Sequence, residues 1–135
     1  MPIAVIPACS CGDFSIEPNP FAWEFVRYSA GGAIASFGLT TLGFYLPSTL
    51  AVESEAGHLA MSVFQSYSEG VDIVGEIWKE TIVRYLNDDL AMNIGNYSLP
   101  LPFMGMTKSP AWINHVTVQE WILFGDPSLK IGGYL

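Results

Sequence analysis

The sequence predicts an α/β fold with parallel strands joined by helical crossovers. Three observations carry this. Two short runs, 3–9 and 33–40, are apolar without polar alternation, as strands buried on both faces are. Longer stretches between and after them repeat apolar residues at helical spacing. Glycine, proline and asparagine clusters punctuate the joins.

The first strand is Ile3 to Cys9. Asn19-Pro20 then opens a helix, with Asn as N-cap and Pro at the first helical position. Phe21, Phe25 and Tyr28 share one side of it, and Gly31-Gly32 ends it. Residues 33–40 form the second strand, followed by a loop through Gly43 and Pro47. A helix over about 50–68 aligns Leu59, Val63 and Tyr67, with Ala60 and Phe64 beside them, and Gly70 stops it. The next helix, about 71–89, carries Val74, Ile77, Trp78, Ile82, Tyr85 and Leu86 on one stripe, with Glu80 and Arg84 as an exposed i,i+4 pair. Residues 91–110 read as a long loop, 116–124 as a short helix, Gly125-Asp126-Pro127 as a turn and Ser128–Ile131 as a last strand. Three strands are few for a sheet covered on both faces, so a neighbouring segment or a partner chain is expected.

The 135 residues fit one domain, and 50% hydrophobic against 13% charged excludes a disordered chain. The net charge of −8 would repel a phosphate backbone or anionic lipid, so neither nucleic acid nor membrane is an expected partner. Residues 28–52 are uncharged and long enough to span a bilayer. Their glycines and Pro47 make them a strand and loop instead. The N-terminus has no basic, apolar, small-residue pattern of a signal peptide.

Cys9 and Cys11 are the two cysteines. One residue apart in an extended segment, they point to opposite faces and would be strained as a disulfide. No second cysteine pair completes a zinc site, and neither metal nor cofactor is expected. Cys9 ends the first strand just before the Gly12-Asp13 turn. In open parallel sheets ligands bind outside the carboxyl ends of strands, so a thiol there can serve as a nucleophile. By position alone it reads first as a small buried hydrophobe, which free cysteines usually are. His58 reads as a helical surface or satisfied residue, and His115 as a cap beside Asn114. Asp13 and Asp126 read as turn carboxylates bonding nearby N–H groups. Glu53 and Glu55 read as first-turn charges on a helix dipole.

Ala8-Cys9-Ser10-Cys11-Gly12-Asp13-Phe14 resembles the segment around the nucleophile of gingipain-type cysteine peptidases. Leu123-Phe124-Gly125-Asp126-Pro127-Ser128-Leu129 resembles the motif that closes their catalytic domain. Gly32–Ser36 and Gly43–Pro47 are similar to the strand and aromatic loop that lie between. The resemblance implies a partial caspase-like parallel sheet and a thiol peptidase acting on a peptide or protein substrate. Cys9 matches the nucleophile; Phe44 falls at the aromatic position of the primary specificity pocket, with Tyr45 as its neighbour. For Phe44 the resemblance stands beside plain core packing. A secreted or cell-surface location is implied by resemblance only.

The family's catalytic His, followed by Gly, precedes the nucleophile, and residues 1–8 contain no His. Cys11 stands where gingipains carry Asn. Residues 1–135 are therefore expected to be the nucleophile-bearing part of one peptidase-like domain, inactive without an upstream part that carries the His. The bare first strand would then self-associate or pair with that segment. The alternative is a non-catalytic caspase-like interaction or scaffolding module.

Overall fold

The computed structural model describes residues 2–44, 52, 55–88, 99–101 and 106–134. It is a mixed α/β structure. Its elements run β1 (Ile3–Ile6), α1 (Phe21–Arg27), β2 (Ala35–Leu39), α2 (Glu55–Ser68), α3 (Val74–Asn87), β3 (Leu99–Leu101), β4 (Met106–Lys108), α4 (Pro110–Glu120) and β5 (Trp121–Gly125). The main sheet has the order β1-β2-β5. β1 and β2 are parallel, joined by the α1 crossover. β3 and β4 form a separate antiparallel ribbon.

Strand alternation builds three layers. Ala35, Phe37 and Leu39 of β2 join Ile3, Val5, Trp121 and Leu123 on the face covered by α2 and α3. Phe37 stacks on Trp121 with ring centroids 6.1 Å apart. The other face of the sheet meets α1. Ser36 Oγ donates to the Ala22 carbonyl at 2.6 Å, and Ile6, Ile122 and Phe124 pack with Ala22 and Cys11. Every residue of β2 is buried, which fits its central place.

The expectation of a wholly parallel sheet is corrected: β5 pairs antiparallel with β2, from Ala35↔Gly125 to Leu39↔Trp121. The apolar run Trp121–Phe124 is as compatible with a buried helix as with a strand on periodicity alone. The helix expected at 116–124 is in fact α4, and it starts earlier because Ser109 caps it. The Ser109 side chain accepts from the Trp112 N–H, with Pro110 just inside. Its C-terminal Glu120 carbonyl accepts the Thr40 N–H at 3.0 Å, handing the chain straight into β5.

Ser128–Ile131 is not a strand beyond the single bridge Ile73↔Lys130. Its carbonyls have other work. The Leu129 carbonyl and that of Pro127, just before the segment, accept from Val74 and Gly75 at 2.9 and 2.8 Å. They satisfy first-turn donors of α3 that no intrahelical acceptor can reach.

Other boundaries move for local reasons. β1 stops at Ile6 because Pro7 has no N–H for a ladder and Ala8 N–H turns back to the Ile6 carbonyl at 2.8 Å. Its four residues are half-buried. Pro20, not Asn19, is the N-cap of α1. The helix buries Ala22, while Phe21 and Tyr28 face solvent, because only a small side chain fits against Ser36 and Gly38. α2 and α3 bury Ala56, Leu59, Val63, Val74, Ile77 and Tyr85 as spacing requires. Phe64, Tyr67 and Leu86 are exposed, contrary to the sequence reading. Arg84 pairs with Glu69 across the α2–α3 turn, not with Glu80. The expected loop 91–110 contains the β3–β4 ribbon and the start of α4; the first residues of the expected helix at 50–54 lie, except for Val52, outside the described residues. Among the described residues no helix is long and apolar enough to cross a membrane.

Candidate active site

The segment after β1 wraps over the carboxyl end of β2. Ser10 N–H donates to the Thr41 carbonyl at 2.6 Å and Gly12 N–H to the Leu39 carbonyl at 2.9 Å. Ser10 takes a left-handed φ of 52°, which turns the chain sharply between the two cysteines. Gly12 has no room for a side chain: a Cβ would lie 2.6 Å from the Phe124 ring.

This turn separates the two thiols. Cys11 is buried. Its Sγ donates to the Ile6 carbonyl at 3.1 Å and accepts the Leu39 N–H at 3.3 Å. Cys9 is exposed. Its Sγ accepts the Gly43 N–H at 3.3 Å. Among the described residues the N–H groups of Ala8, Ser10, Cys11 and Gly12 all donate to carbonyls, whereas that of Cys9 donates to none. An exposed sulfur and, among the described residues, an unused backbone donor therefore share one residue; an acyl-transfer site needs such a pairing for attack and for oxyanion stabilisation.

Between the loop after β2 and α4 opens a cavity of about 400 Å³. Thr41, Leu42 and Phe44, which bracket Gly43, form one wall; Trp112, Val116 and Glu120 of α4 form the other. Phe44 is buried against Ile113 and meets Trp112 edge-on, with centroids 5.7 Å apart. It thus packs in a core cluster and lines the cavity at once. Tyr45 lies outside the described residues.

Glu120 is the residue that sequence reading missed. It is 7% exposed. Its Oε1 accepts from the Thr41 hydroxyl, while Oε2 is buried with no hydrogen-bond partner among the described residues. Burial raises its carboxyl above the ordinary 4.5, and the Thr41 hydrogen bond opposes the shift. The available signal was a carboxylate set directly before the apolar run at 121–124.

The histidines sit elsewhere. His58 Nε2 is 3.0 Å from Asp88 Oδ2, its Nδ1 is 3.3 Å from Ser62 Oγ, and its ring meets Tyr85 edge-on. His115 is exposed in the middle of α4 and does not cap it. Neither bonds Cys9 among the described residues. Asp13 and Asp126 act as turn residues. Each accepts from the side chain and the N–H of a serine two residues on, Ser15 and Ser128. Those bonds hold both carboxyls below 3.8. Glu55 does open α2, but it is buried. Its carboxylate adds to the burial that pushes the Tyr85 phenol well above its usual range. Glu53 lies outside the described residues.

The family model for peptidase family C25 matches residues 1–132. The chain belongs to peptidase family C25. No curated protein and no solved structure matches it. C25 is the gingipain family, and membership implies cysteine peptidase function. Of the two cysteines in this C25 chain, Cys9 alone is exposed.

Proposed function

We propose that Cys9 is the nucleophile of a gingipain-like cysteine endopeptidase. The observation that supports this best is the exposed Cys9 sulfur, held by Gly43 N–H, on a residue whose own N–H has no acceptor among the described residues. In this reading Sγ attacks the scissile carbonyl carbon. The carbonyl oxygen becomes an oxyanion and accepts the Cys9 N–H. The tetrahedral intermediate collapses to a thioester as the amine leaves with a proton from a histidine. Water then attacks the thioester and frees the thiol. Phe44, with Tyr45 beside it, contacts a substrate side chain.

The histidine belongs to a segment N-terminal to β1, where gingipains carry it, so residues 1–135 are the nucleophile-bearing part of one domain. General acid–base help contributes typically about 10²–10⁴-fold, so this chain alone should show no detectable turnover. A second reading has its own support: neither His58 nor His115 reaches Cys9 among the described residues. A non-catalytic module that keeps the fold without the dyad accounts for that placement as well as an upstream histidine does.

The test is peptide hydrolysis by the protein expressed with the coding sequence upstream of Met1. Thiol-dependent cleavage that is lost in Cys9→Ala and kept in Cys11→Ala supports the peptidase. An inactive protein with an intact upstream His-Gly supports the module. Cleavage by residues 1–135 alone that is lost in His58→Ala or His115→Ala overturns the upstream dyad.

A further inference from the structure

We infer that Cys9 and Cys11 are a reversible oxidation site, in which Cys11 closes a disulfide onto an oxidised Cys9 and protects it from further oxidation. The inference concerns the redox state of Cys9 and stands whether or not Cys9 attacks peptides. Proximity comes from the turn. Two residues of extended chain span about 6.6–7.2 Å, at or beyond the limit of about 6.8 Å between the Cα atoms of a disulfide. The segment is not extended. The Cys11 N–H donates to the Ala8 carbonyl at 3.3 Å, closing a turn with Cys9 and Ser10 at its centre. Ser10 has a left-handed φ of 52°, and that curl shortens the span between the cysteines.

The two sulfurs differ as an attacked and a resolving group should. Cys9 is exposed, so an oxidant reaches it first. Cys11 is 6% exposed, shut off from reagents but next to Cys9 along the turn. Its Sγ donates to the Ile6 carbonyl at 3.1 Å and accepts the Leu39 N–H at 3.3 Å. Gly38, with no Cβ, leaves that sulfur its room. Closing the disulfide rotates Cys11 away from these two partners and Cys9 away from the Gly43 N–H. The bonds given up stabilise the reduced form, and a disulfide whose reduced form is stabilised, or which is strained, is the labile and regulatory kind.

The oxidant is a hydroperoxide. The Cys9 sulfur attacks one oxygen, the O–O bond breaks, and the thiol proton leaves on the other oxygen as an alcohol, or as water from hydrogen peroxide. Cys9 is now a sulfenic acid. The Cys11 sulfur attacks the Cys9 sulfur, the S–O bond breaks, and the hydroxide leaves with the Cys11 proton as water. Two thiols are oxidised to one disulfide and one hydroperoxide is reduced. In this state Cys9 has no thiolate, so chemistry at its sulfur stops until a dithiol reduces the bond. Without Cys11 the sulfenic acid goes on to a sulfinic acid, which thiols do not reverse.

Sulfenic acid trapping tests this without requiring peptidase activity. The chain is treated with hydrogen peroxide in the presence of dimedone, which captures sulfenic acids, and is read by intact mass and peptide mapping. A thiol two residues away offers an effective concentration on the order of 1 mM, so with dimedone at about 0.1 mM the Cys9 adduct should be at least about tenfold lower than in Cys11→Ala. Without dimedone the unsubstituted monomer should lose the mass of two hydrogens from the peptide that holds both cysteines, and dithiothreitol should restore it. Cys11→Ala should instead gain two oxygens at Cys9, which dithiothreitol leaves in place. Cys11→Ser, which keeps a donor for the Ile6 carbonyl and an acceptor for the Leu39 N–H, should behave as Cys11→Ala does, with a thermal melt confirming the fold of both. Equal trapping in the three proteins overturns the inference. So does a treated protein in which Cys9 carries oxygen while Cys11 stays a free thiol, or one that loses hydrogens only as a covalent dimer.

Discussion

The Gly43 N–H donates to the Cys9 sulfur at 3.3 Å, tying the loop after β2 to the turn after β1. Two residues on, the Cys11 sulfur is enclosed between the Ile6 carbonyl and the Leu39 N–H. The two thiols should therefore alkylate on different schedules. Cys9 reacts from the folded state, whereas Cys11 must wait for an opening of β1 and β2. Core openings cost free energies up to the global stability, so a native-state rate ratio of at least about 100 is expected with iodoacetamide. Peptide mass mapping over time measures it. Comparable slow labelling of both would mean that Cys9 is buried in solution.

Gly38 and Cys11 form a close pair. A Cβ at Gly38 would lie 2.7 Å from Cys11 Sγ and 3.1 Å from the Ala22 Cβ. Gly38→Ala should destabilise by about 1–3 kcal/mol, the usual range for overpacking. In a Cys11→Ala background the nearest obstacle is gone, so the same substitution should cost less. Urea unfolding of the four proteins yields the coupling. Additive effects would show that Ala22, not Cys11, sets the clash.

Much of this site could be read from the chain because its signals are local. The turn carboxylates Asp13 and Asp126 and the buried Leu59, Val63, Val74, Ile77 and Tyr85 follow from local chemistry and helical spacing, whereas β1 ends at Ile6, three residues before Cys9. The misreadings concern tertiary choices. Trp121–Phe124 suits a strand or a buried helix, and the β2 edge it joins, from Ser36↔Phe124 to Leu39↔Trp121, is distant in sequence. α1 is apolar on more than one side, so spacing could not say that Ala22 rather than Phe21 meets the sheet. Ser128–Ile131 looked like a strand because nothing local reveals that its carbonyls cap α3. Glu120 escaped notice for the same reason: its burial depends on Thr41, which only the fold brings near.

The first strand should govern association. Among the described residues β1 pairs with β2 alone, so its other edge is unpaired. An unpaired edge built from Ile3, Ala4, Val5 and Ile6 is a template for another chain. We expect light scattering at rising concentration to show dimers or larger species of this chain. Addition of the upstream segment, or Ile3→Lys at the strand's start, should reduce them. A monodisperse monomer at high concentration would remove the edge as an interface.

Acid stability offers a check with opposite signs at two carboxylates. Asp126 is held below 3.8 by the Ser128 hydroxyl and then the Ser128 N–H. The unfolded chain takes up that proton first as pH falls. The Asp126 contribution is therefore present above 3.8 and lost as pH drops through the lower folded value. Glu120 runs the other way. Burial raises it above 4.5, so the folded state keeps its proton longer than the unfolded chain does. Its penalty is absent below 4.5 and grows as pH climbs from there to the folded value. Thermal melts from pH 3 to 8 should show Glu120→Gln gaining on the unsubstituted protein as pH rises past 4.5, then levelling. Asp126→Asn should lose ground as pH rises through the window that ends at 3.8. If the Glu120→Gln difference stays flat across the range, the carboxyl is solvated in the folded protein. The cavity between the loop after β2 and α4 would then lack a buried carboxylate.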